Sequence, residues 1–243
     1  MLMTATAPTT VNPETPIAVM QRCELKYILN PTQEALLKQA MEGRMEPDRF
    51  GLTTIASLYY DTPDYRLVRA SLEKPLFKEK LRLRSYGQAT ESSPVFLELK
   101  RKACDIVYKR RIGTTVEEAA RFLHRADRLR VLGQISREIS AFLDYYGPLI
   151  PTCVILYDRT AYVESEGDLR LTIDAKPRWR ADRLDLTYAP EGTPLLPSGC
   201  SILELKVQDA IPLWLTRALS DGKIYKTSFS KYGEAYRKLK LQN

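Results

Sequence analysis

Eight stretches of the chain alternate polar and apolar residues at period two: 21–29, 53–60, 78–86, 94–101, 105–112, 152–163, 168–176 and 201–207. Successive side chains of a strand point to opposite faces, so this pattern predicts strands with one apolar and one polar face. Turn-forming residues separate them at Asp64, Gly87, Gly167-Asp168 and the Pro/Gly-rich stretch 189–199. Helical spacing occupies the intervals. Residues 30–42 open with Asn30, Pro31 and Gln33, a cap, a favoured first residue and a capping-box partner, and carry Leu36, Leu37, Ala40 and Met41 as an apolar stripe. Residues 115–146 open with Thr115 and Glu118 at capping-box spacing and are interrupted at Gly133. Further helical pieces are predicted near Leu213–Leu219 and over the C-terminal SKYGEAYRKLKL. The expected organisation is one α+β domain over 20–243, its helices packed outside the sheet, behind a Thr/Pro/Ala-rich tail over 1–19 predicted to be disordered.

The polar positions of the predicted strands are unusual in kind. Lys78, Lys80, Arg82 and Arg84 oppose Leu81 and Leu83; Glu98, Lys100 and Lys102 oppose Val95, Leu97 and Leu99. Arg170, Thr172, Asp174 and Lys176 oppose Leu169, Leu171 and Ile173. Glu204 and Lys206 oppose Leu203, Leu205 and Val207, and Arg22, Glu24 and Lys26 oppose Cys23, Leu25 and Tyr27. A solvated sheet face would explain any one of these strands. A generic wet face would also be rich in Thr, Ser and Gln, whereas these positions are mostly Arg, Lys and Glu. With helices covering the apolar side, such a face can close on itself as a barrel interior. Clustered cations there would bind phosphate oxygens, and carboxylates would hold Mg²⁺ or Mn²⁺ bridging those oxygens.

Composition narrows the alternatives. The 243 residues are 44% hydrophobic, enough for a sizeable core, and the net charge of +7 suits a polyanionic partner. No apolar run is long enough to span a bilayer and the N-terminus has no signal-peptide pattern, so a cytoplasmic location is expected. Cys23, Cys104, Cys153 and Cys200 are scattered without a C-x-x-C pair, which favours buried thiols over a zinc site. His124 is the only histidine and falls in a predicted amphipathic helix, so a Ser-His-Asp triad on the strands is excluded. Neither a P-loop nor a kinase signature set is present. Asp61 and Asp64 read as turn formers, Tyr59 and Tyr60 as packing residues, and Asp158 as an ion-pair partner. Arg110 is sent by alternation to the face opposite Lys109 and Arg111.

In order along the chain, RCELKYIL, SLYYDTPDY, KLRLRSYG, VFLELKRK, VYKRRI, YDRTAY, LRLTIDAK, ILELKV and FSKY resemble the triphosphate tunnel metalloenzyme (CYTH-like) superfamily. Within it they look most like the VTC domain, the catalytic module of polyphosphate polymerases. The resemblance implies an eight-stranded antiparallel β-barrel whose tunnel holds the triphosphate of ATP. It further implies transfer of the γ-phosphoryl group to a growing polyphosphate chain with a divalent metal, Mn²⁺ or Mg²⁺. Carried over by motif, Lys26, Arg82, Arg84, Lys100, Lys109, Arg111, Arg159 and Arg170 are the phosphate-contacting set. Tyr157, Ser230, Lys206 and Lys231 join them, with Glu204 the leading metal ligand and Glu24, Glu98 and Asp174 behind it. Lys26, Arg82, Arg84, Lys100, Arg159 and Glu204 are the expected catalytic group.

Two departures stand out. The superfamily's E-x-E-x-K on the first strand reads Arg22-x-Glu24-x-Lys26, a base replacing the first carboxylate as in the polymerase branch. Ser228 stands where that branch tends to carry a basic residue two positions before the serine of SK, with Lys226 further back. No SPX segment is expected ahead of the barrel. Hydrolysis of tripolyphosphate or nucleoside triphosphate remains an alternative, as does a non-catalytic polyphosphate- or nucleotide-binding module. Nucleic acid is not expected, because the aromatics do not track the basic stripes. A membrane protein receiving the product is left open.

Overall fold

The computed structural model describes residues 23–73, 75–104, 106–125, 133–164, 167–207 and 210–242. Arg22, the expected N-terminal tail and the side chain of His124 lie outside the described residues. The elements run β1 (Cys23–Leu29), α1 (Pro31–Met41), β2 (Met45–Pro47), β3 (Thr53–Asp61), α2 (Arg66–Leu72), β4 (Phe77–Tyr86), β5 (Pro94–Ala103), β6 (Ile106–Thr115), α3 (Val116–Arg125) and α4 (Gln134–Tyr146). They continue as β7 (Ile150–Glu164), β8 (Arg170–Arg180), β9 (Thr193–Pro194), β10 (Ser201–Val207), α5 (Leu213–Asp221), β11 (Lys226–Thr227) and α6 (Lys231–Gln242). Each of the eight alternating stretches forms one long strand. Both capping boxes are made: Asn30 Oδ1 accepts from Gln33 N at 2.9 Å, and Thr115 Oγ1 accepts from Glu118 N at 3.2 Å.

The strands form one antiparallel sheet in the order β11-β1-β10-β8-β7-β3-β4-β5-β6, with β2 on β7 and β9 on β8. The ladder is an open path, which corrects the expected closed barrel. Among the described residues β6 has no second neighbour, and the outer edge of β1 is taken by the short β11 through Lys26 and Tyr27. The sheet nevertheless curls far enough for side chains to span its ends. Glu24 on β1 meets Lys100 on β5 at 3.6 Å, although five strands separate them along the ladder.

The convex face carries the leucines. Leu58, Leu81, Leu83, Leu97, Leu99, Val154 and Leu156 pack under Phe122 of α3 and Ile139 and Phe142 of α4. Leu171, Ile173, Leu203 and Leu205 pack under Leu37 of α1 and Leu215 of α5. Each fully buried leucine contributes about 1.5–3 kcal/mol. The expectation that all helices pack outside needs a second correction. Helix α6 lies against the concave side, where Tyr232 and Ala235 join Ile55, Tyr59, Cys153, Ile155 and Tyr157. It therefore fills part of the concavity and leaves the remainder to charge.

A bulge explains a third difference. The β7–β8 register shifts between Leu156 and Asp158, and Lys176 adopts φ 47° there. An extra residue reverses the facing of everything beyond it. Trp179, beyond the bulge, consequently enters the concave apolar cluster although it shares the parity of Leu171 and Ile173. Helix α2 carried no recognisable start signal. Its N-cap Tyr65 is left-handed at φ 60° and makes no side-chain cap. The cap comes from Asp61, whose carboxylate accepts from Leu67 N at 2.8 Å and Val68 N at 3.0 Å.

Candidate functional site

Strand parity delivers the charged side chains into the concavity, where they meet in three groups. The first is centred on Glu98, 1% exposed. Cross-strand register sets it between Arg82 of β4 and Arg111 of β6. Arg82 Nε donates to Glu98 Oε2 at 2.8 Å and Arg111 Nε to Oε1 at 2.7 Å. Lys109 Nζ lies at 3.5 Å and Arg84 Nε at 3.8 Å. Burial alone would raise the Glu98 pKa, but Arg82, Arg84, Lys109 and Arg111 hold it far below the usual carboxylate range. Two tyrosines orient the arginines: Tyr59 OH accepts from Arg82 at 3.0 Å and Tyr157 OH from Arg84 at 3.2 Å.

The second group joins β7, β8 and α6. Arg159 grips Asp174 with both arms, Nε to Oδ1 at 2.5 Å and Nη2 to Oδ2 at 2.7 Å. Lys231 Nζ donates to the same Asp174 at 2.5 Å and stands 4.4 Å from the centre of the Tyr157 ring. Arg159 Nη2 also reaches Glu204 Oε2 at 3.3 Å. The neighbouring Asp158 faces away, accepting from Thr54 at 3.0 Å and pairing with Arg178 at 3.2 Å. Adjacent acid and base thus serve opposite faces of one strand.

The third group straddles β1, β10 and β5. Lys26 Nζ sits between Glu24 at 3.2 Å and Glu204 at 3.3 Å. Glu204 is 8% exposed; burial opposes its charge, but Lys231, Lys26, Arg159 and Lys206 hold its pKa well below the usual value. Burial likewise opposes the Lys26 ammonium, and Glu204 and Glu24 overcome it, pushing its pKa up. From Glu98 a chain of contacts runs through Arg84, Tyr157, Lys231, Glu204, Lys26 and Glu24 to Lys100, returning to the strand it left. Side chains close the ring that the backbone leaves open.

Of the residues expected from sequence, Arg170 stands apart at the rim, while Lys206 acts on Glu204 through its charge without an ion-pair contact among the described residues. Their register places them beside each other on β8 and β10. Arg170 is exposed at the rim, and Lys206 is half-buried. Ser230 caps α6, accepting from Gly233 N at 3.2 Å, and also accepts from Lys80 Nζ at 3.1 Å. Lys80 and Tyr59 were not in the expected set. Lys80 shared the charged parity and opens the KLRLRSYG motif, but only Arg82 and Arg84 of that motif were carried over as phosphate contacts; Tyr59 read as packing. Among the described residues Lys80 has no carboxylate partner. Burial and the neighbouring Lys100, Lys26, Lys78 and Arg82 lower its pKa to about 7. Lys109 is lowered to about 8, by burial first, with Glu98 opposing and Arg84, Arg82 and Arg111 adding to the fall. Arg110 is on the outer face, 2.8 Å from Glu138 of α4. Asp61, far from any ligand role, anchors α2 and accepts from Tyr232 OH at 2.8 Å.

Among the described residues no three His, Cys, Asp or Glu side chains gather as a metal cage. A magnesium-type site on a phosphate substrate needs only one or two carboxylates, the other positions going to phosphate and water. Glu24 and Glu204 fit that role, since they already hold one cation, the Lys26 ammonium, between them. Glu98 and Asp174 are fully engaged by arginine and lysine.

The model of the VTC domain family matches residues 21–240. No curated protein matches the chain significantly. Among solved structures, a candidate adenylyl cyclase from Hippeastrum, described as having a dominant triphosphatase activity, is 18% identical with a TM-score of 0.54, covering 86% of this chain and 92% of that one. A candidate adenylate cyclase from Bacillus halodurans is 14% identical with a TM-score of 0.53, covering 85% and 92% respectively. At such identities the likeness is one of fold. No helix among the described residues is long and apolar enough to cross a membrane.

Proposed function

The chain belongs to the VTC domain family, and on that premise we propose that its concave charged face is a tunnel that takes ATP by the triphosphate and passes the γ-phosphoryl group to a growing polyphosphate chain. The observation that carries this reading is the ring of contacts from Glu98 to Lys100, in which cations outnumber the carboxylates they surround. Arg82, Arg84, Lys109, Arg111, Lys26, Lys100, Arg159, Lys206 and Lys231 would neutralise the donor and acceptor phosphates, with Arg170 at the entrance. Arginine forks and lysine ammoniums both suit phosphate oxygens. Charge spreads over those oxygens as the phosphoryl group transfers, so positioning and electrostatic stabilisation supply most of the catalysis. A divalent metal at Glu204 and Glu24 would add charge neutralisation between the phosphates.

The choice of acceptor follows from proton chemistry. A phosphate chain end, with a second pKa of about 6, is already anionic near neutrality and needs no base. Water does need one, and Glu98 and Glu204 are held too far below the usual range to accept a proton. Lys80, lowered to about 7, is able to accept one, and this favours hydrolysis as the second reading.

Incubation of the purified protein with ATP and Mn²⁺, resolving ADP, free phosphate and long-chain polyphosphate, separates the two. Polyphosphate matching the ADP released supports the polymerase. Stoichiometric free phosphate, with no polyphosphate even after priming by short chains, assigns the hydrolase instead.

A further inference from the structure

Two buried side-chain polar atoms have no partner among the described residues, Thr172 Oγ1 and Trp179 Nε1. Trp179 belongs to an apolar cluster. Thr172 does not. Its β8 neighbours of like parity are Arg170 and Asp174, and Asp174 meets Arg159 and Lys231 inside the concavity. Across the ladder Thr172 stands opposite Glu204 on one side and Ala161 on the other, and Glu204 is in turn opposite Lys26. The side chain thus lies in the wall of the charged concavity, 8% exposed, within the row that brackets Lys26. Alanine on the β7 side fills little of the space beside it.

A buried hydroxyl without a hydrogen bond destabilises the fold by a sizeable fraction of its net stability. Most buried polar groups are satisfied, so an orphan in a charged site calls for a reason. Valine has the same shape and would remove the cost. The geometry points to Thr172 as a phosphate-positioning residue, its hydroxyl donating to a phosphate oxygen of the chain held by Arg159, Lys26 and Lys231. This rests on the tunnel reading above. A phosphate oxygen is preferred because the cations flanking Thr172, Arg170 and Lys206 toward the rim and Arg159 and Lys231 deeper, outnumber its carboxylate neighbours Glu204 and Asp174. The hydroxyl is already dehydrated in the free protein, so binding gains the bond without a new desolvation cost.

The test pairs two readouts that move in opposite directions. Inorganic tripolyphosphate is titrated calorimetrically into the wild type, Thr172→Val and Thr172→Ser, and each is melted without ligand. Thr172→Val is expected to melt about 2–6 °C higher and to bind about ten- to hundredfold more weakly. Thr172→Ser, which keeps the hydroxyl, is expected to bind within about threefold of wild type and so controls for any folding failure of the valine variant. Equal binding by wild type and Thr172→Val overturns the inference while leaving the tunnel reading intact. A lower melting temperature for Thr172→Val also overturns it, because the hydroxyl then has a structural partner. Loss of binding by Thr172→Ser equal to that of valine does the same. If wild type itself fails to bind tripolyphosphate, the tunnel reading falls, and this inference falls with it.

Discussion

Replacing Glu98 by glutamine keeps the shape of the side chain and removes one negative charge from the middle of four cations. Glu98 is 1% exposed, and its partners Arg82, Arg84, Arg111 and Lys109 are 18%, 6%, 34% and 47% exposed. Breaking a buried ion pair costs about 3–5 kcal/mol, because the partner charge is left uncompensated. Lys109 and Arg111 can turn toward water, which screens part of the repulsion, so the lower end, about 3 kcal/mol, is expected. For a domain of this size that lowers the melting temperature by about 6–12 °C. The pH dependence has a definite sign. The folded pKa of Glu98 lies below its ordinary 4.5. The stabilisation is therefore complete above about pH 4.5 and disappears as pH falls toward the folded value. Thermal melts of wild type and Glu98→Gln should differ clearly near pH 5 and converge as pH falls below about 4.5. Tripolyphosphate at about a hundred times its Kd should stabilise the wild type by about 2.7 kcal/mol. It should stabilise the variant more, since the added anion replaces the missing charge. A melting temperature for Glu98→Gln within about 2 °C of wild type at neutral pH would refute the claim that this carboxylate neutralises the cation cluster.

Glu204→Ala is expected to lower turnover of ATP at least about hundredfold with the circular dichroism spectrum unchanged; full activity at the same Mn²⁺ concentration would remove Glu204 from the mechanism. Lys80 has a folded pKa of about 7 against an ordinary 10.5. The unfolded chain therefore binds the extra proton between those values, and wild-type stability should rise with pH across that window. Urea titrations of Lys80→Met should show a smaller rise, the remainder coming from Lys109, lowered to about 8, and parallel pH profiles for the two proteins would contradict it. Tyr232→Phe removes the hydrogen bond to Asp61 and the one shared with Thr152, at 2.8 and 2.9 Å. It should cost about 1–3 kcal/mol in urea unfolding, and an unchanged midpoint would show that α6 does not depend on them.

The strands and most helices could be read from sequence because their determinants are local. Period two separates Leu81 and Leu83 from Arg82 and Arg84 whatever the rest of the chain does, and the Asn30–Gln33 box needs only three residues. The same alternation brought most of the expected site residues to one face, and placed Arg110 on the other. Helix α2 was hidden because its cap, Asp61, lies outside the N-cap position where a start signal is sought. Trp179 lies in the concave cluster although its parity matches Leu171 and Ile173, because parity holds only within an uninterrupted ladder, and the bulge before it is a property of two strands. Curvature and closure were decided by tertiary structure alone. No single strand specifies that β1 accepts β11 at its outer edge, or that Glu24 crosses the opening to Lys100. The roles of Lys80, Tyr59 and Thr172 were hidden for a related reason. Their protonation, orientation and missing partner depend on what other strands and α6 place around them. Sequence determined which side chains are ionisable and, within an uninterrupted ladder, which face each one takes, since both follow from neighbouring residues. Folding decided which charges meet, because side-chain distance and desolvation belong to the assembled sheet.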